Sequence, residues 1–586
     1  MKTLTKILIA LSSTALIAAP AAFGANDKGN GGKPERVDVI VGYHGKPAAA
    51  QKDKVRGLGG EVRREFSNFD MHVVSLPKHA VENMRRSNGV AFVVPDEPIE
   101  TFSASARATA RATSVDYAMK YMNAYGIGIA VIDSGVTNHP DLNVQTRLDC
   151  RAKSTTLSTS NLMLAPVSET TSSCSYAYEL SVYEKDYESI SVYDGADSVD
   201  SADGFDPFGH GTHVAGVIGG NGSASNGAYY GIAPGASIHS LRVFDEDGRG
   251  VASDAIGALD WILSHGTSNG IRVVNMSLGK AVEESNTTDP LVLAVEAVWD
   301  AGFVVVVSAG NYGRDGNFTI TSPGNSRKII TVGSLTDSGT GNNFGDDYVS
   351  TFSSRGPTLG DHVLKPDLIA PGNRYIAATP GNGKLKKLLP KRARNCGGTC
   401  ADSYLELSGT SMAAGAVSAT AALMLSHDSS LTPATIKARL MRSARKIDAA
   451  PTDSGAGVLD VEAALVETGT VSGHALSPLM ARHENESAIL LEDTAKLWGD
   501  ETWAAGFLWT DGFLWTDGFM WTDGFLWTDG FLWTDGFLWT DGFLWTDGFL
   551  WTDGFMWTDG FLWTDAVTDF LPLYSVSSQT VDLDDD

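Results

Sequence analysis

The chain has 586 residues, 43% of them hydrophobic, which is enough for more than one domain and a large buried core. Its formal net charge of −26 argues against nucleic acid or anionic membrane surfaces as partners. That acidity sits mainly in a tail: no Lys or Arg follows Lys496, and 17 acidic residues from Asp500 to Asp586 leave a formal −9 on the rest.

Lys2 and Lys6 precede an apolar run, Ile7 to Ala19, that is too short to span a bilayer comfortably. Small residues follow, so residues 1–24 read as a secretory signal peptide cut after Ala21 or Gly24. This predicts a secreted protein, extracellular, periplasmic or cell-surface associated. No later segment has the pattern of a membrane-spanning helix. Four cysteines suit an oxidising compartment. Pairing Cys150 with Cys174 and Cys396 with Cys400 is the simplest of three connectivities. No His lies near the Cys396 pair, which argues against a zinc site.

Asn26 to Glu35 is a linker. Strands are predicted at Val37–Val41, Glu61–Phe66, Met71–Leu76 and Val90–Pro95, with helices at Ala48–Leu58 and His79–Ser87. This β-α-β-β-α-β order over residues 36–102 suits a small ferredoxin-like α+β module. Thr101 to Ser114, rich in Ala, Ser, Thr and Arg, is a protease-accessible linker. Over residues 112–467, apolar strands alternate with helices. Strands fall at Ile127–Ile132, Ser237–Val243, Arg272–Met276, Phe303–Val307 and Ile329–Val332. Helices fall at Ala252–Gly266, Leu291–Asp300 and Ala413–Leu425. That alternation predicts an α/β domain, a parallel sheet covered on both faces.

Residues 468–505 read as a linker. The hexapeptide Gly-Phe-Leu-Trp-Thr-Asp then runs ten times over 506–565, with Met at 520 and 556 in place of Leu, and an acidic tail fills 566–586. Two readings of the repeats stay open. One is a stack of short strands and turns, a small solenoid. The other is a flexible tail whose aromatics grip surfaces, glycans or other copies.

Four segments carry chemistry. Ala130 to Gly135 is an apolar strand ending in Asp133 and a Gly turn. The others are His210-Gly211-Thr212-His213, Ser308-Ala309-Gly310-Asn311 and Ser408-Gly409-Thr410-Ser411-Met412-Ala413. A Ser hydroxyl is a poor nucleophile until a base removes its proton. His210 can serve as that base, and Asp133 can hold its tautomer. Ser411 opens a small-residue helix whose N–H groups face developing negative charge, and Asn311 can supply the other oxyanion donor. His213 reads as a structural neighbour. The chemistry needs no cofactor.

These segments, in the order Asp, His, Asn, Ser, resemble the subtilase family. So do His139-Pro140-Asp141-Leu142, Gly231 to Ala236, Asn275-Met276-Ser277-Leu278-Gly279 and Lys365 to Gly372. The resemblance covers residues 115–466. It implies a subtilisin-like, seven-stranded parallel sheet with helices on both faces, and broad, apolar-tolerant endopeptidase activity on proteins or peptides. It implies a substrate strand beside Ser277, Leu278 and Gly279, with Ala309 and Gly310 completing the groove. It also implies that residues 36–102 are an inhibitor-type propeptide, cut off between Glu100 and Ser114.

A structural calcium ion is implied at Asp141, with the loop Asn221–Gly231 supplying carbonyls. The acids Asp194, Asp197, Asp200, Asp203 and Asp206 read as a solvated loop, with calcium as the alternative. Gly415 stands where family members carry Pro, which keeps the small size but loosens the backbone. The rival function is a protease-like scaffold that binds or adheres through its aromatic repeats.

Overall fold

The computed structural model describes residues 35–101, 124–151, 174–176, 205–338, 344–394, 404–471, 473–482 and 489–492, and nine four-residue strands between 513 and 564. The signal peptide, the processing linker after Thr101, Asp194 to Asp203, Cys396, Cys400 and the acidic tail lie outside the described residues.

Two compact units emerge. The first comprises residues up to Arg63 together with 70–95. It holds β1 (Arg36–Tyr43), α1 (Ala49–Gly57), β2 (Glu61–Glu65), β3 (Met71–Pro77), α2 (Val81–Arg85) and β4 (Val90–Pro95). The sheet order is β2-β3-β1-β4, with β3 and β4 antiparallel to β1. Period-2 alternation sends Val39 and Val41 of β1 inward against Val55, Val74, Leu76 and Met84. The helix expected at His79–Ser87 is shorter. It begins as a 3₁₀ turn, Lys78–Ala80, and its α-helical part is only Val81–Arg85.

The second unit contains Arg64–Phe69 and everything from Asp96 onward. Its sheet is built from β6 (Gly128–Asp133), β7 (Val144–Asp149), β9 (Ser237–Arg242), β11 (Ile271–Met276), β13 (Val304–Ser308), β14 (Ile330–Thr336) and β16 (Leu368–Pro371). These seven run parallel in the order β7-β9-β6-β11-β13-β14-β16. Short antiparallel strands β8 (Ser175–Tyr176) and β15 (Tyr348–Val349) extend it. The central strands are buried along their whole length, as continuous apolar runs covered on both faces require. After β9 the chain crosses to the far side of β6, and that reversal opens a crevice at the carboxyl ends of the strands.

Helices α3 (His210–Gly219), α4 (Ala252–His265), α5 (Pro290–Asp300), α6 (Thr410–His427) and α7 (Pro433–Arg442) pack around this sheet. α6 is buried from Thr410 to Leu425 and is apolar all round, as a central helix must be. It continues unbroken through Gly415. A Cβ there would lie 3.3 Å from Val217 Cγ1 of α3, so small size at 415 lets the two helices meet. Cys150 and Cys174 form a disulfide.

The boundary expected at 467 falls too early. Val471 and Ala475 are buried in one cluster with Leu364, Ala438 and Met441. Leu364 N–H donates to Pro478 C=O, so this segment is part of the domain. Among the described residues, nine of the ten hexapeptides contribute one strand each, and strands three repeats apart pair in parallel, as in Phe513↔Phe531↔Phe549. Three three-stranded sheets result, which is the wiring of a parallel β-solenoid.

Asp367, in the loop before β16, organises one flank of the sheet. Its carboxylate receives Lys365 Nζ at 2.7 Å, Lys437 Nζ at 3.2 Å and the Thr331 N–H at 2.8 Å. All three charged side chains are buried. Asp367→Asn leaves two buried ammonium groups without their carboxylate. Its unfolding free energy, measured by urea denaturation in a Ser411→Ala background, is expected to fall by about 3–5 kcal/mol.

Candidate active site

Asp133 is the last residue of β6 and His210 the first of α3. Both are fully buried, and His210 Nδ1 lies 2.9 Å from each oxygen of the Asp133 carboxylate. The Ser134 N–H donates to Asp133 Oδ1 at 2.7 Å and orients it. The approach is close. A Cβ at Gly211 would fall 2.1 Å from the Gly135 carbonyl oxygen, so a side chain there would push the His helix off the Asp loop.

Asp206 locks this pair in place. It is fully buried and accepts from the Ser134 hydroxyl, the Gly209 N–H and the N–H and hydroxyl of Thr212, at 2.6–2.8 Å. It therefore ties the turn after β6 to the N-terminus of α3. Burial raises its pKa against the pull of these donors. Asp206 was read as part of a solvated acidic run; its burial against N–H and O–H donors corrects that reading.

Ser411 sits in the first turn of α6. Its hydroxyl lies 3.4 Å from the Ser277 carbonyl, and the Ser277 hydroxyl donates to the Ser411 carbonyl at 3.0 Å. The Asn311 amide orientation follows from its partners. Asn311 Oδ1 accepts from Thr410 N–H and Thr410 Oγ1, each at 3.1 Å, which turns Nδ2 the other way. Among the described residues, Asn311 Nδ2 and His210 Nε2 are buried polar atoms with no hydrogen-bond partner. Those are the atoms acyl transfer requires: an oxyanion donor and a proton acceptor. His213 is different. Its Nε2 lies 2.9 Å from the Leu405 carbonyl, and burial lowers its pKa to about 3, so it stays neutral.

A strand lies beside Ser277. β5 (Pro98–Thr101) pairs antiparallel with β12 (Leu278–Gly279), Thr101 opposite Leu278 and Glu100 opposite Gly279. Its other edge pairs with β10 (Arg249–Val251), Ile99 opposite Gly250, and Ile99 is 1% exposed. The Tyr312 hydroxyl hydrogen-bonds the Glu100 carboxylate. Asp96 caps α4, accepting from Ser253 N–H at 2.9 Å and its hydroxyl at 2.6 Å. Ala309, by contrast, spends both backbone groups internally, on the Val332 carbonyl and the Thr321 N–H. Gly310 N–H donates to Thr410 Oγ1 at 3.3 Å.

Asp141 accepts from Ala224 N–H at 2.7 Å, from the Ser223 hydroxyl at 3.1 Å and from the Tyr404 hydroxyl. Asp206, Thr410 and Tyr404 went unread in the sequence as site residues. Only tertiary contact gives these three residues their roles. A Thr next to the nucleophile was the one local hint.

A model of the subtilase family matches residues 124–462. The chain belongs to the subtilase family. It is accordingly a subtilisin-type serine protease. A second model, described as a putative peptidase inhibitor domain, matches residues 30–96 of this subtilase. Serine protease AprX of Bacillus subtilis is 39% identical over 264 residues, covering 44% of this chain and 58% of that protein, under two thirds of its length. Subtilisin E of the same organism is 27% identical over 431 residues, 71% of this chain and 86% of its own. The structure of fervidolysin from Fervidobacterium pennivorans aligns with a TM-score of 0.55 at 20% identity, over 79% of this chain and 65% of that one, which shows a shared fold.

The orphaned amide of Asn311 gives a direct test. Asn311→Ala is expected to lower kcat on a peptide substrate about 100- to 1,000-fold with KM little changed, because the donor engages the oxyanion and not the ground state. A loss confined to KM would contradict that role.

Proposed function

We propose that this subtilase is a secreted zymogen that matures to an endopeptidase, cleaving protein chains through an acyl-enzyme at Ser411. The observation that carries the reading is the chain's own Pro98–Thr101, paired as a strand with Leu278–Gly279 next to Ser277 and Ser411. A substrate entering the same way gains main-chain hydrogen bonds whatever its sequence, which favours broad cleavage. The burial of Ile99 favours an apolar side chain one place beyond the residue opposite Gly279.

These positions support the following chemistry. Ser411 Oγ attacks the scissile carbonyl while His210 Nε2 takes its proton. Asp133 holds the imidazole through Nδ1 and stabilises the imidazolium. The oxyanion is met by Asn311 Nδ2 and the backbone N–H groups at the start of α6. The C–N bond then breaks as His210 returns the proton to the leaving amine. Water repeats the sequence on the Ser411 ester. No metal enters any step.

In the zymogen, residues 36–102 act as the inhibitor until the cut between Glu100 and Ser114. A full-length Ser411→Ala chain is expected to stay uncut, while the parent yields a mature form starting within that window, read by intact-mass spectrometry. Cleavage of the variant at the parent's rate, in a purified preparation, would overturn the reading.

The strand's attachment depends on pH. Lys280, 4% exposed at its side chain, contacts Glu97 at 2.7 Å, Asp289 at 2.9 Å and Glu284 at 3.3 Å. Glu283 adds a further carboxyl. Its hydrogen bond to Glu97, then the charge of Glu97, then burial raise its pKa to about 7. Attachment therefore takes up a proton. That gain is complete below the ordinary Glu pKa and is lost as pH rises through about 7. Glu283→Gln, which cannot ionise, is expected to match the parent's release of activity near pH 5 and lag behind it near pH 8. Comparing the two chains at each pH cancels the pH dependence that the catalytic reaction itself has. Equal rates at both pH values would exclude the coupling.

A further inference from the structure

The fold family implies a calcium ion at Asp141, and the residues present do not fit one. A calcium site needs six to eight oxygens turning lone pairs toward one point. Both Asp141 oxygens instead face hydrogens: Ala224 N–H and the Ser223 hydroxyl on Oδ1, and the Tyr404 hydroxyl on Oδ2. Several oxygens around the carboxylate are already engaged as well. Gly222 C=O accepts from Ser225 N–H, Gly227 N–H and the Ser225 hydroxyl. Asn221 Oδ1 accepts from Ser223 N–H, Pro140 C=O from the Ser223 hydroxyl, Gly220 C=O from Gly231 N–H and Asp141 C=O from Asn221 N–H.

We infer that Asp141 is a metal-free post, in which the Tyr404 hydroxyl, with Ser223 and Ala224, does the cross-linking that a cation would do. Tyr404 is built for this. It is 1% exposed, with its ring 5.4 Å edge-on from His139 and 5.0 Å from Tyr229. Burial, then the hydrogen bond to Asp141, raises its pKa, so the phenol keeps its proton and acts as a donor. Tyr404 opens β19 (Tyr404–Leu407), which is held to β17 (Tyr375–Ala378) and leads directly to Ser408 and Ser411. Asp141 lies in the loop after β6, which ends in Asp133. Ser223 and Ala224 lie in the loop after α3, which begins with His210. One carboxylate thus joins the three elements that carry the triad, through hydrogen bonds alone.

The test uses the full-length Ser411→Ala chain, so it is independent of proteolysis and of the function proposed above. Thermal unfolding is followed in excess calcium and in chelator, for this parent, for Asp141→Asn and for Tyr404→Phe. Terbium, excited through tyrosine, serves as the calcium probe. The expected result is that Asp141→Asn changes neither terbium emission nor the response of Tm to calcium, and that Tyr404→Phe lowers Tm by several degrees with or without calcium. Calcium bound elsewhere leaves that result intact, because its effect survives in Asp141→Asn. A Tm response to calcium, or a terbium signal displaced by calcium, that is present in the parent and absent in Asp141→Asn would overturn the inference. If Asp141→Asn does not fold, hydrogen exchange of residues 221–231 in the parent decides: equal protection with calcium and with chelator supports the post, and calcium-dependent protection refutes it.

Discussion

Everything at this site depends on a buried contact between His210 and Asp133, 2.9 Å from nitrogen to oxygen, made where a strand ends and a helix begins. The contact demands that two backbones approach more closely than side chains allow. Gly211 meets that demand by having no Cβ. Asp206 then holds the approach by accepting donors from both sides. Weakening either feature would move the imidazole before it changed any reacting atom, and small displacements cost heavily in acyl transfer.

Buried carboxylates recur through the domain, each resolved by a different kind of partner. Asp133 has an imidazole, Asp206 has neutral N–H and O–H donors, and Asp367 has two ammonium groups. Asp141 has a phenol, a hydroxyl and an amide. An unpaired carboxylate in such surroundings is costly, so each is a strong constraint on the chain around it. Asp133 ends its strand and Asp206 stands on a loop at the carboxyl edge of the sheet, where loops would otherwise be the least ordered part of an α/β domain. The catalytic geometry is rigid because polar cross-links hold those loops, while the apolar sheet below supplies stability.

The strand Pro98–Thr101 pairs beside this site. Its backbone makes sequence-independent ladder bonds, while Ile99, Glu97 and Asp96 add burial, an ion pair with Lys280 and a helix cap. These attachments differ in character. The ladder and the buried side chain are indifferent to pH, and the ion pair depends on charge.

Much was legible in the sequence. Strand-length apolar runs alternating with helices determined a parallel sheet, because only a sheet covered on both faces tolerates strands such as Val304–Ser308. Asp133, His210, Asn311 and Ser411 stood out as candidates because each stands at a strand end or helix start in a local pattern of Gly and small residues. Other features needed the tertiary structure. Asp206 looked like one more acid in an acidic run, and Tyr404 like a strand aromatic, since their roles depend on partners distant in sequence: Ser134 is 72 residues from Asp206, and Asp141 is 263 from Tyr404. The domain's end was misread for the same reason, because the short segment holding Ala475 and Ser477 looks loose until Leu364 packs against the one and Lys437 bonds the other. Local pattern picked out the candidate reacting groups. Long-range hydrogen bonding decided what holds them in place, because a donor's partner is set by how the chain folds back.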